Sequence, residues 1–120
     1  MKGVPAARAE EFSPPAGCFL VVYDGDRPVA CGGLKRLDDE SGEVRRVYVA
    51  PSARGRGLGR RMLRALEAHA RDLGLERLRL DTGARQPEAI ALFESEGFYR
   101  IEDYNGNPYA DFWYEKALGL

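Results

Sequence analysis

Three glycines alternate with arginines in Arg54-Gly55-Arg56-Gly57-Leu58-Gly59-Arg60-Arg61. The stretch follows a strand-like run at 43–49 and precedes a helix-like run at 58–73. Glycine has no Cβ, so its backbone reaches positive φ and lies close against a ligand. A helix N-terminus offers unpaired N–H groups and a partial positive charge. With arginines beside it, such a turn is suited to hold phosphate. A surface turn with solvated arginines is the plain alternative, and the surrounding elements decide between them.

The chain has 120 residues, which predicts one domain over 1–120, with 1–16 as an extended arm. Pro5, Pro14 and Pro15 exclude regular structure from much of that arm, although 6–12 has room for one or two helical turns. The net charge of −1 gives no global field for nucleic acid or an anionic membrane, and neither is expected as a partner. The basic residues are instead densest between Arg45 and Arg64. Cys18 and Cys31 lie in apolar strand-like runs and read as reduced core residues of a cytoplasmic protein. No apolar run approaches the roughly 18 residues that span a bilayer. No His, Cys or carboxylate cluster has metal-ligand spacing, so no metal is expected.

Two apolar runs, 18–23 and 27–34, flank Asp24-Gly25-Asp26 and predict an antiparallel hairpin. Gly32-Gly33 in the second run points to a bulge or a close backbone approach. Residues 43–49 form a third strand, with Glu43, Arg45, Val47 and Val49 on one face by strict alternation. Leu58, Met62, Leu66, His69 and Leu73 recur at helical spacing, with Arg60, Arg64, Glu67 and Arg71 on the polar side. A strand over 75–81, a helix over 86–96, and strands over 98–104 and 109–118 complete the chain; Asn105-Gly106-Asn107-Pro108 is a hairpin loop. The order β-β-β-α-β-α-β-β contains a βαβ crossover, which should be right-handed with parallel strands. The glycine loop falls at the carboxyl end of the crossover's first strand, where open α/β sheets bind ligands, and this favours the phosphate cradle.

A nucleotide P-loop needs a lysine and a Ser or Thr after the last glycine, and a dinucleotide fingerprint needs G-x-G-x-x-G; neither fits Gly55, Gly57 and Gly59. Arg54-Gly-Arg-Gly57-Leu-Gly59 instead resembles the Q/R-x-x-G-x-G/A signature of the GNAT N-acetyltransferases. Residues 43–51 are similar to that family's fourth strand, Leu92-Phe-Glu-Ser-Glu-Gly97-Phe98 to its L-Y-x-x-x-G-F box, and Tyr114-Glu115-Lys116 to its closing strand. The resemblance spans about 12–118 and implies an α/β fold with a mixed, mostly antiparallel sheet. It also implies acetyl-CoA as co-substrate, an amine acceptor and direct attack of the amine on the thioester. The backbone of Arg54, Gly55, Arg56, Gly57, Leu58, Gly59 and Arg60 would hold the pyrophosphate. Val47, Tyr48 and Val49 would pair with the pantetheine arm in a cleft between the third and fourth strands. A backbone N–H near Val49 would hold the oxyanion. Gln86 stands where many members place an asparagine against pantetheine, and Phe93 would wall the channel.

Glu43 matches the strand glutamate that serves the family as a base, often through water; the alternative is a strand charge paired with Arg45 or a cross-strand lysine. Phe93 replaces the tyrosine that protonates the departing thiolate. A thiol with pKa near 8.5 still leaves as a tolerable anion. Tyr99, Tyr104, Tyr109 or Tyr114 could substitute, with Tyr99 and Tyr104 put forward as catalytic. The acids and aromatics of the C-terminal hairpin would suit a cationic amine. The family's first strand and helices look shortened here, which raises the expectation of a homodimer. A catalytically weak or inactive CoA-binding protein is the alternative function, and a basic-loop nucleic-acid binder is disfavoured by the near-neutral charge.

Overall fold

The computed structural model describes residues 15–119, so the expectations for the arm's first 14 residues lie outside the described residues. Six strands form one mixed sheet in the order β1-β2-β3-β4-β6-β5. They are β1 Gly17–Asp24, β2 Arg27–Arg36, β3 Ser41–Val49, β4 Arg77–Thr82, β5 Tyr99–Ile101 and β6 Phe112–Ala117. Helix α1 (Leu58–Asp72) joins β3 to β4, and α2 (Pro87–Ser95) joins β4 to β5. Only β3 and β4 pair in parallel, as the crossover requires; the other pairs are antiparallel.

The alternation in β4 works as its sequence suggests. Leu78 and Leu80 are buried, while Arg77, Arg79 and Asp81 take the other face. With Leu34, Val44 and Tyr114 the two leucines build the core face, and α1 covers its β1–β3 side with Met62, Leu63, Leu66 and Ala70. Gly32 permits that cover: a Cβ there would stand 2.8 Å from Met62 Cγ and 3.2 Å from Leu66 Cδ1. Both expectations for the Gly32-Gly33 pair are met, because the β2–β3 register also shifts between Cys31 and Gly33.

That shift changes the reading of β3. Cys31 opposes Tyr48 and Gly33 opposes Arg45, so Arg46 and Val47 together face the single residue between them. Arg46 takes φ 58°, the one non-glycine with positive φ among the described residues. This is a bulge, and it inverts the alternation beyond it. Val44, Val47 and Val49 all pack on the core, and Tyr48 turns outward. Strict period-two counting had instead grouped Glu43 and Arg45 with Val47 and Val49.

Three further departures have simple causes. The buried stripe of α1 follows the 62–66–70 row with 63 and 67 beside it, which leaves His69 exposed. Glu67 is buried rather than on the polar side, because both Arg71 (3.2 Å) and Lys116 of β6 (2.9 Å) reach its carboxylate. The last hairpin is shorter than its apolar content suggests: residues 102–111 form a loop, and Tyr109 stands 89% exposed within it.

Candidate active site

Parallel pairing of β3 with β4 covers only Ser41↔Arg77, Gly42↔Leu78 and Glu43↔Arg79. Beyond that point the strands separate, as expected for the cleft. A cavity of about 960 Å³ opens between them, lined from Val44 onward on one side and from Leu80 onward on the other. Val49 and Tyr48 pair with Ala30 and Cys31 of β2. Among the described residues no strand lies beside their other edge, so their backbone polar groups on that edge face the cavity.

The cavity leads to the glycine loop. A short 3₁₀ turn, Pro51–Ala53, ends β3, and Gly55 (φ 82°) and Gly57 (φ 74°) then use backbone closed to most residues. Gly57 is the N-cap of α1. Among the described residues no side chain caps this helix, and its first turn carries no acid. Its positive end is therefore left uncompensated at the mouth of the cavity. A Cβ on Gly59 would lie 3.0 Å from Leu92 Cδ2, so that glycine lets α1 approach α2 across the cleft.

The arginines of this loop differ in their commitments. Arg54 Nε donates to Val49 O at 3.2 Å. Arg56 pairs with Asp24 at 3.5 Å and is not part of the lining. Arg60 joins Arg64 on Glu96 at the C-cap of α2, at 2.6 and 2.8 Å. The Arg64 bond, with Arg60 assisting against burial, holds the Glu96 carboxyl below the usual carboxylate range. This pair of ion bridges ties together the helices that follow the two lips of the cleft.

The other predicted cofactor residues line the cavity: Val47, Tyr48, Val49, Arg54, Gly55 and the run from Gly57 to Arg60 on one side, Gln86 and Phe93 opposite. Phe93 is 8% exposed and meets the rings of Phe98 and Tyr114 at 6.0 and 6.4 Å. It serves both core and wall.

At the fork itself stands Glu43, 7% exposed. Its Oε1 lies 3.4 Å from Arg45 Nε, while Oε2 accepts from Tyr104 Oη at 2.7 Å and Asn105 Nδ2 at 3.3 Å. Burial first, then the bond to Glu43, pushes the Tyr104 phenol far above its usual range, so Tyr104 stays a donor. The fold thus brings Glu43 and Tyr104 together from residues 61 apart in sequence.

Tyr99 is elsewhere. It lies on the edge strand β5, exposed, and donates to Glu115 Oε2 at 2.6 Å. Arg79 reaches the same carboxylate at 2.9 Å. Burial would raise the Glu115 carboxyl, but the bonds from Tyr99 and Arg79 outweigh it and hold it low. Tyr114 is fully buried, its hydroxyl between Glu94 (3.0 Å) and Arg100 (3.3 Å). Neither tyrosine is in the cavity lining, and nor are Glu43, Tyr104 and Asn105; of the tyrosines named as replacement acids, Tyr109 is the one that lines it.

Sequence reasoning missed two features. Asp81 lines the cavity and accepts from Asn105 (2.6 Å) and Asn107 (3.2 Å). Glu96 binds the loop arginine Arg60. Asn105-Gly106-Asn107 gave only a turn signal, and a turn signal says nothing of which strand the loop folds back onto. Among the described residues, no group of three or more His, Cys, Asp or Glu is placed to hold a metal ion, and no helix is long and apolar enough to cross a membrane.

Comparison with known proteins agrees with this geometry. The profile of the acetyltransferase (GNAT) family matches residues 2–98. The chain is 44% identical over 82 residues to an IAA acetyltransferase of Azospirillum brasilense, covering 67% of this chain and 53% of that protein. It is 32% identical over 120 residues to the uncharacterized N-acetyltransferase YsnE of Bacillus subtilis, covering 96% of this chain and 80% of that one. Its fold matches a GNAT family acetyltransferase from Elizabethkingia anophelis, solved with acetyl-CoA bound, with TM-score 0.74 and 14% identity over 98% of this chain and 94% of that one. The chain thus spans about half the length of the first of these relatives and four-fifths of the second. By its profile, its relatives and its split sheet, this chain belongs to the GNAT family of acetyltransferases.

Proposed function

We propose that the chain binds acetyl-CoA in the cleft between β3 and β4 and transfers its acetyl group to an amine. The observation that carries this reading is the termination of β3–β4 pairing at Glu43↔Arg79, in line with an uncapped helix N-terminus at the far end of the opening. The pyrophosphate would meet the N–H groups of Gly57 to Arg60, with the dipole of α1 behind them. The amides of pantetheine would add to the open edge of Val47, Tyr48 and Val49 as a strand would. That the Elizabethkingia protein holds acetyl-CoA on the same fold supports this ligand.

The thioester would then lie near the bulge, with the acceptor approaching from the fork. Glu43 takes a proton from the ammonium, directly or through water, and Tyr104 and Asn105 hold the carboxylate in place. The neutral nitrogen attacks the thioester carbon, and a backbone N–H near Val49 stabilises the oxyanion. The attacking nitrogen gives up its second proton to solvent, the C–S bond breaks and coenzyme A leaves as thiolate. Phe93 has no proton to give and the Tyr104 proton points at Glu43; of the tyrosines named as replacement acids Tyr109 alone lines the cavity, so the thiolate takes its proton from Tyr109 or from solvent. Among the described residues no cysteine or serine lines the cavity, which favours direct transfer over an acyl-enzyme.

Calorimetry with acetyl-CoA and coenzyme A tests the binding half: micromolar binding is expected, and none at all would sink the reading. A thiol-release assay over a panel of small amines, polyamines and peptides tests the rest. Binding without acceptor-dependent release from any amine would favour a CoA-binding protein that does not turn over, the reading that Phe93 supports.

A further inference from the structure

We infer that Asn105 is a positioning residue that fixes the direction of the Glu43 carboxylate by tying loop 102–111 across the fork of the sheet. An asparagine side chain offers two N–H donors and one oxygen with two lone pairs. Here all four are used. Nδ2 donates to Asp81 Oδ2 at 2.6 Å and to Glu43 Oε2 at 3.3 Å, while Oδ1 accepts from Trp113 Nε1 at 2.9 Å and from Asn107 N at 3.0 Å. One side chain therefore joins β3, β4, β6 and its own loop at the point where β3 and β4 part.

The chemistry needs an amide. Glu43 and Asp81 bring two carboxylates, which only accept hydrogen bonds, to one side chain, so the group between them must donate to both. Asn105 supplies a donor to each. Asn107 Nδ2 takes the second oxygen of Asp81 at 3.2 Å, and Tyr104 Oη shares Glu43 Oε2 at 2.7 Å. Arg79, paired with Glu43 in the sheet, sits 5.5 Å from the Tyr104 ring and keeps that side of the loop against the strand. The carboxylate is thus held from the loop side by Tyr104 and Asn105 and from the strand side by Arg45.

A turn role alone would demand much less. Asp103 Oδ1 already accepts from the N–H groups of Asn105 and Gly106, at 2.9 and 2.6 Å. Asn105 Oδ1 closes the next turn on Asn107 N. Aspartate closes such turns as well as asparagine does. Asn105→Asp therefore keeps the turn and the acceptor for Trp113 but removes both donors and adds a third carboxylate.

The experiment has two arms. The first needs no activity. Trp113 is the only tryptophan, so its indole N–H gives a single resonance in a ¹⁵N-labelled protein. Glu43→Gln is expected to move that resonance in the otherwise native chain, through Asn105, and to leave it in place in the Asn105→Asp background. No movement in the native background, or equal movement in both, overturns the inference.

The second arm rests on the proposed role of Glu43 as base and uses the amine most active in thiol release. Asn105→Asp and Asn105→Ala should each lower kcat by on the order of tenfold or more, with acetyl-CoA affinity within about twofold of native. Native kcat in Asn105→Asp would leave Asn105 only its turn and overturn the inference. If the native protein turns over no amine, the base reading fails, and the indole arm alone decides the positioning.

Discussion

Gly57 is the position at which binding and folding separate most cleanly. It is the N-cap of α1 at φ 74° and ψ 17°, and a Cβ placed there would meet nothing within 4 Å. Gly57→Glu therefore clashes with no neighbour. Its cost to the fold is left-handed strain of roughly 1–2 kcal/mol, offset by about 0.3–1 kcal/mol from an acid at a helix N-terminus. A fall in Tm of a few degrees is expected. Bound phosphate would feel far more. At about 5 Å, one pair of unit charges costs about 0.8 kcal/mol at a dielectric of 80 and about 3.3 kcal/mol at 20. With two phosphate charges the penalty is about 1.7–6.6 kcal/mol, from roughly twentyfold weaker binding to none measurable. Gly57→Asn enters the left-handed region with less strain than Glu and adds no charge, so its affinity should fall between the two. Calorimetry with acetyl-CoA at low salt and at about 0.5 M salt reads both effects, since salt screens only the charge. The reasoning fails if folded Gly57→Glu binds within threefold of native, or if the Asn and Glu variants are equally impaired at low salt.

Three further outcomes follow from other parts of the site. Glu43→Gln should lower acceptor-dependent turnover by roughly 10²–10⁴-fold, the usual worth of a general base, and leave acetyl-CoA affinity unchanged; steady-state kinetics beside calorimetry check both, and native kcat would remove Glu43 from the mechanism. Phe93→Tyr adds a phenol to the cleft wall and should raise kcat at pH 7 more than at pH 9, where a thiolate leaves unaided; an identical pH–rate profile would show that protonation of the leaving group is not limiting. Glu96 is held low chiefly by Arg64, so the stability it lends is present above the unfolded carboxyl pKa of about 4.3 and is lost as pH falls through its lower folded value. Melting curves of Glu96→Gln between pH 3 and 7 should accordingly lose part of the native acid-side slope, and unchanged curves would assign the two bridges no net contribution.

The sequence carried the fold wherever one period governed an element. Leu78 and Leu80 against Arg77 and Arg79 marked β4 as half-buried, and the Met62–Leu66–Ala70 row marked α1. The glycine loop was legible because strand, glycines and helix are adjacent in the chain. Period counting failed at Arg46, since a bulge adds one residue without any marker except the glycines opposite it in β2. It failed at Glu67, whose partner Lys116 is 49 residues away. The fork was least legible for the same reason. Glu43, Asp81 and Asn105 come from three separate stretches, and only the sheet order, with β6 beside β4, brings loop 102–111 back to the fork.

This difference in legibility reflects two ways of building a site. The proposed cofactor end is mostly backbone: a strand edge without a neighbour, glycines at positive φ and the first turn of a helix. Such groups hold a ligand whatever side chains surround them, provided the backbone path is kept, so a short local pattern is enough to encode them. The fork is built from side chains, and each must satisfy several partners at once. Asn105 uses every bond it can make, and Glu43 binds Arg45, Tyr104 and Asn105 on two oxygens. Changing one of these residues leaves a carboxylate short of donors near the cleft. The constraint on the fork is therefore collective. It also leaves the proposed base independent of Phe93: the donors to Glu43 come from Arg45 of β3 and from loop 102–111, and none comes from α2.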